Sequence, residues 1–161
     1  MKKIYLTVLA AWVAVVSLSA QVSEQEANLM RSILKSEVKV FFAQNIKLKS
    51  SEANMFWEIY DLYEEELLPV GNRRVAILQE IVKGKGKLSE DDADRLINEA
   101  EKIDKQRKKV RWKYYKILKK KMSTSIAVQF YQLDAFIHSQ VTAAINEGGA
   151  LVIPVGDKKE E

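Results

Sequence analysis

From Ser51 to Lys121 apolar residues recur at spacings of three and four almost without interruption, and the only clear break is the Gly84-Lys85-Gly86-Lys87 stretch. That pattern is the signature of amphipathic helix, and a short polar break between two such runs folds them back on each other. Each run is about 32 residues, or roughly 48 Å at 1.5 Å per residue. The second helix is read from about Ser51 to Val82, with Phe56, Ile59, Tyr60, Tyr63, Leu67, Ile77, Leu78 and Ile81 as its stripe. The third runs from about Glu90 to Lys121, striped by Ala93, Leu96, Ile97, Ala100, Ile103, Val110, Tyr114, Ile117 and Leu118.

Two shorter helices flank this pair. The first covers about Ser23 to Asn45 and presents Met30, Ile33, Leu34, Val38, Phe41 and Phe42. The fourth covers about Thr124 to Asn146 with Ile126, Phe130, Leu133, Ile137, Val141 and Ala144, and Gly148-Gly149 ends it. With 6 Gly and 2 Pro in 161 residues, and Leu, Ile, Ala, Lys and Glu dominant, nothing favours strands. The expected fold is all-α, with no sheet: an elongated, bent antiparallel helical hairpin with flanking helices, about four in all. Pro69 lies inside the second helix and predicts a kink or break near Leu68.

The first twenty residues read as an export signal. Lys2-Lys3 precede an apolar run of about 13 residues, Ile4 to Val16, shorter than the roughly 20 a spanning helix needs. Ser17-Leu18-Ser19-Ala20 supplies a small-residue cleavage site. The expected organisation is a signal peptide at 1–20, a single helical domain at 21–150 and an extended or disordered tail at 151–161. The location follows as periplasmic and soluble, without stable membrane insertion after cleavage. Removing Lys2 and Lys3 from the 26 basic residues leaves them nearly balanced by 22 acidic ones, which disfavours nucleic-acid binding. Cysteine is absent, so disulfide, thiol and lipoprotein chemistry are excluded.

Three helix starts look alike: Leu48 to Ala53, Leu88 to Ala93 and Met122 to Ala127. Each sets a large apolar residue outside, a hydroxyl near the cap and Ala one turn in. Ser89 and Asp92 fit a capping box.

Charge is segregated. Glu58, Asp61, Glu64, Glu65 and Glu66 make the front of the second helix acidic. Lys105, Arg107, Lys108, Lys109, Arg111, Lys113 and Lys116 make the third basic. Folding about Lys83 to Leu88 sets position 61 across from about 110, so the runs face each other and fix the register by rejecting like-charge slips. Lys116, Lys119, Lys120 and Lys121 are less obviously matched, and suit either solvent or an anionic lipid, glycan or protein.

No reactive centre is legible. His138 is the single histidine, with Asp134 one turn before it, too few ligands for a closed metal site. No Ser/His/Asp set appears and Gly84-Lys85-Gly86-Lys87 lacks the spacing of a phosphate loop. The chain reads as non-enzymatic, without cofactor or metal. Phe56, Trp57, Tyr60 and Tyr63 fall on adjacent helical positions, and serve either as core or as an apolar surface for unfolded clients, which Trp112, Tyr114 and Tyr115 would extend. The candidate client or partner surface is therefore Phe56, Trp57, Tyr60, Tyr63, Trp112, Tyr115, Lys116 and Lys119.

Leu48, Glu52, Ala53, Phe56, Trp57, Ile59, Tyr60, Tyr63 and Glu66, followed by the basic Asn72-Arg73-Arg74, resemble a family of exported bacterial helical proteins related to Spy and CpxP, marked by an LTxxQ motif. Ala127, Phe130, Tyr131, Gln132 and Leu133, and the terminal Ile153-Pro154-Val155, resemble two further blocks of that family. Lys49 stands where Thr is usual, Gln129 where Arg is, and Asp134 where Glu is. The resemblance implies a bent helical hairpin, often a homodimer forming a shallow cradle. It implies a periplasmic stress-response chaperone that binds unfolded envelope proteins, or alternatively a regulatory or structural partner of one envelope protein. A metal-responsive branch uses His-rich sites, whereas this chain has one histidine.

Overall fold

A computed structural model describes the backbone of residues 24–84 and 88–147, and the side chains of 35–84, 88–143 and 145. The described residues form four helices: α1 (Glu24–Asn45), α2 (Ser50–Lys83), α3 (Glu90–Lys121) and α4 (Thr124–Glu147). No strand forms among the described residues, and the fold is all-α. The expected signal peptide, the tail at 151–161, the Gly148-Gly149 stop and the side chains of Met30, Ile33, Leu34 and Ala144 lie outside the described residues. No helix among them is long and apolar enough to cross a membrane.

The described residues fall into two compact units. One holds α2, α3 and the first residues of α4, within Leu48 to Ala127; the other holds α1 with its exit to Lys47 and the rest of α4 from Val128.

In the first unit α2 and α3 form an antiparallel hairpin. Moving back along α2 and forward along α3, Glu80 meets Arg95, Arg74 meets Asp104 at 2.8 Å, and Glu66 meets Lys113 at 2.5 Å. The seam follows a three-four alternation. Phe56, Tyr60, Tyr63 and Val70 are buried along α2, ending in Leu78 and Ile81 near the turn. Ala93, Leu96, Ile103, Val110, Tyr114 and Leu118 answer them on α3. Such spacing is the geometry that keeps an apolar line facing a neighbouring helix. Ile97 sits one position beside that line and is 53% exposed, so its expected place in the core is corrected. Arg111 enters the buried set instead, at 9% exposed.

Two expectations about α2 also change. Its helix runs uninterrupted through Pro69, so of the kink or break expected near Leu68 the break does not occur. Pro69 and Glu65, whose carbonyl loses its helical donor, both lie on the exposed side, where water can satisfy that oxygen. The cap differs as well. The helix begins after Lys49, which is extended and gives no side-chain hydrogen bond, while the expected hydroxyls Ser50 and Ser51 already lie inside. Only the reverse half of a capping box forms, with Lys49 N–H donating to Glu52 Oε2 at 2.8 Å.

The other two starts follow expectation. Ser89 Oγ accepts from Asp92 N–H at 3.1 Å and donates to Asp92 Oδ2 at 2.7 Å. That hydroxyl is the main reason the Asp92 carboxyl is held below its usual range. Ser123 Oγ accepts from Ile126 N–H at 3.1 Å.

The second unit is bound by aromatic contacts. Phe42 and Phe130, each 1% exposed, pack at 6.1 Å between ring centres. Phe41 stacks on Phe136 at 5.7 Å. Lys47 N–H donates to Gln129 Oε1 at 2.8 Å, tying the exit of α1 to α4.

Candidate functional site: the outward face of α3

The hairpin sorts the aromatic residues into two populations. Phe56, Tyr60 and Tyr63 are 0%, 3% and 2% exposed, so they belong to the core and present no surface. Of the two roles left open by the sequence, packing takes these three. Phe56 and Tyr60 stack at 6.0 Å, Tyr60 and Tyr63 tilt at 6.0 Å, and Tyr63 meets Tyr114 of α3 edge-on at 5.3 Å. Trp57 is half-buried and sits edge-on to both Phe56 and Tyr60.

Trp112, Tyr115, Lys116 and Lys119 share the opposite side of α3. Steps of three and four along a helix place them on one arc, while Val110, Tyr114 and Leu118 turn inward. Trp112 is 51% exposed and stacks on Tyr115 at 4.7 Å with an interplanar angle of 10°. Lys105, Lys108, Lys109, Lys116 and Lys119 are exposed around that stack. The result is a flat aromatic pair set in a field of ammonium groups, and it can offer both contact area and charge to an extended polypeptide.

Behind this face a polar latch fixes the helix. Tyr114 Oη donates to the Leu62 carbonyl at 2.9 Å, and Lys113 bonds Glu66 at 2.5 Å. Lys113 holds the Glu66 carboxyl below its usual range. Burial first, and Glu66 second, push the Tyr114 phenol up to about 12. Nearer the turn Arg73 contacts Glu99 at 3.2 Å and lowers its pKa, and Arg74 contacts Asp104. The Arg73-Arg74 segment therefore clips the two helices together.

The acidic and basic runs do face each other, but shifted. Tyr63 against Tyr114 and Glu66 against Lys113 put position 61 more than a full turn past Val110. Two causes add. Helical side chains lean toward their own N-terminus, which in an antiparallel pair displaces contacting residues in one direction. The turn is also centred later than expected, since α2 persists to Lys83 and α3 starts at Glu90.

The sequence reading missed an exposed apolar edge on α2. Met55 and Leu62 are 46% and 55% exposed, and Leu68 is 58% exposed. The available signal was their position: Met55 and Leu62 are seven apart and both lie off the seam. His138 is half-buried and Asp134 is 4% exposed on α4. Among the described residues no group of three His, Asp or Glu side chains is placed to hold a metal ion.

No protein-family model, curated protein or solved structure matches the chain.

Proposed function

We propose that this is a non-enzymatic, exported helical protein of the Spy/CpxP-like type, which holds unfolded or partly folded envelope proteins on the outward face of α3. The observation that carries the reading is the exposed Trp112–Tyr115 stack ringed by lysines. A folded protein gains nothing by leaving an indole half open on a helix whose other face already has a full seam. An extended client gains area from the rings and attraction from the ammonium groups. The leader-like segment at 1–20 supports the periplasmic location, and the seam residues supply a rigid support for the face.

Aggregation of a denatured client, followed by light scattering at several-fold excess of this protein, tests the reading. The native chain suppresses scattering. Trp112→Ala combined with Lys116→Gln and Lys119→Gln removes most of the protection while helicity is unchanged. Equal protection by the triple variant, or none by the native chain, overturns it.

A further inference from the structure

We propose that a second surface, the flank where Leu62 of α2 lies beside the lysine row of α3 and Met55 continues the apolar edge past the end of that row, adsorbs to anionic phospholipid bilayers. This goes beyond the client contact and rests on different residues of the hairpin, apart from the shared Lys109 and Lys116.

The latch defines the flank. Leu62 offers its carbonyl to Tyr114, and Glu66, one turn on, bonds Lys113. The Leu62 edge therefore borders α3 on the side that carries Lys113. Steps of three, four and seven from Lys113 bring Lys109, Lys116 and Lys120 to that same side. Leu62 lies level with Lys116 in the register set by Glu66 and Lys113, and Met55, two turns before Leu62 on the same line, continues the apolar edge past the C-terminal end of the cationic row. Both apolar side chains are about half exposed, at 46% and 55%.

The charge pattern selects the occupant. From Lys105 to Lys121 the chain carries eight lysines and two arginines and no acidic residue. All eight lysines are exposed, whereas Arg107 is half-buried and Arg111 is buried. Arginine grips individual carboxylates with its planar fork, and here it is turned inward; lysine is a mobile point charge. A row of point charges roughly 16 Å long, from Lys109 to Lys120, fits a continuous sheet of headgroup phosphates better than a few placed carboxylates. The adjoining apolar edge fits the boundary below those headgroups, where interfacial surfaces bury their apolar side chains. No described helix spans a membrane, so the contact is adsorption and not insertion across the bilayer.

Co-sedimentation of the full chain with vesicles tests this, using mixed phosphatidylglycerol and phosphatidylcholine against phosphatidylcholine alone, at low and high salt. Binding should require phosphatidylglycerol and fall as salt rises. The variant K109Q/K116Q/K120Q should bind roughly a hundredfold more weakly, from the attraction each lysine loses near an anionic surface. Leu62→Ser should weaken binding severalfold, and inorganic phosphate at matched ionic strength should not displace the protein. Any affinity of residues 1–20 for lipid is the same in every variant, so the comparison is internal. Equal binding to both vesicle types, binding unchanged in the lysine variant, or displacement by free phosphate overturns the proposal. Circular dichroism confirms that the variants stay helical. The client assay contains no lipid, so the two readings fail separately.

Discussion

The Tyr114 hydroxyl donates to the backbone carbonyl of Leu62 at 2.9 Å, so a side chain of α3 is anchored on the main chain of α2 midway along the hairpin. The Leu62 carbonyl also belongs to a helix, and the added bond is a second use of its lone pairs. Tyr114→Phe should therefore cost only about 1 kcal/mol, the usual net worth of one intramolecular hydrogen bond. Urea denaturation of the two proteins measures it.

The same residue sets an alkaline limit. The folded chain holds the Tyr114 phenol at about 12, above its ordinary 10.0. A raised acid keeps its proton in the folded state, so its contribution is whole below the ordinary value and is lost as pH rises toward the folded one. Stability should fall through that window in the native chain, and less steeply in Tyr114→Phe. Denaturant midpoints across the alkaline range check this.

At the acid end the sign reverses. Lys113 lowers the Glu66 pKa, Ser89 lowers that of Asp92, and Arg73 lowers that of Glu99. Each contributes stability above the ordinary carboxylate value and loses it as pH falls through its depressed folded value. Glu66→Gln should flatten the acid side of the stability profile, with a lower plateau near neutral pH.

The weakest start is the most easily improved. Lys49 caps α2 without a side-chain acceptor. Lys49→Thr or Lys49→Ser should complete the box with Glu52 and stabilise the chain by about 1 kcal/mol, as a good cap does. An unchanged or lower melting temperature would contradict the cap assignment.

The two helix-associated glycines of α2 should respond oppositely. A Cβ on Gly71 would meet nothing within 4 Å, so Gly71→Ala should stabilise by about 0.5–1 kcal/mol. At Gly84 a Cβ would fall 2.6 Å from Leu88 Cδ2. Leu88 packs in the small core of Ile81 and Leu96 at the turn, so Gly84→Ala should destabilise by displacing it. Thermal melts of both variants give the signs.

The fold class was legible because a three-four apolar rhythm specifies helix, and because Ser89 and Ser123 carry cap chemistry in their side chains. What escaped was relational. Ile97 is as apolar as Ile103, and only the seam's alternation separates the exposed side chain from the buried one. Pro69 leaves α2 unbroken where the freed carbonyl faces water, a fact about orientation and not about composition. Lys49 took the cap position one residue before the available hydroxyls. The register required the lean of side chains and the true helix ends. Of the candidate site, Trp112, Tyr115, Lys116 and Lys119 share one outward arc, while Phe56, Tyr60 and Tyr63 went to the core. Sequence leaves those two fates open, because an aromatic stripe at helical spacing reads the same whether another helix covers it or not.

The central claim is that clients meet the outward face of α3 and not the acidic front of α2. A photoreactive residue tests it directly when placed at position 116 in one protein and at position 58 in another, each irradiated with a denatured client. Crosslinking should be strong from position 116 and weak from position 58, where Glu58 is exposed but lies on the acidic front. Equal yields, or a stronger signal from position 58, would contradict it.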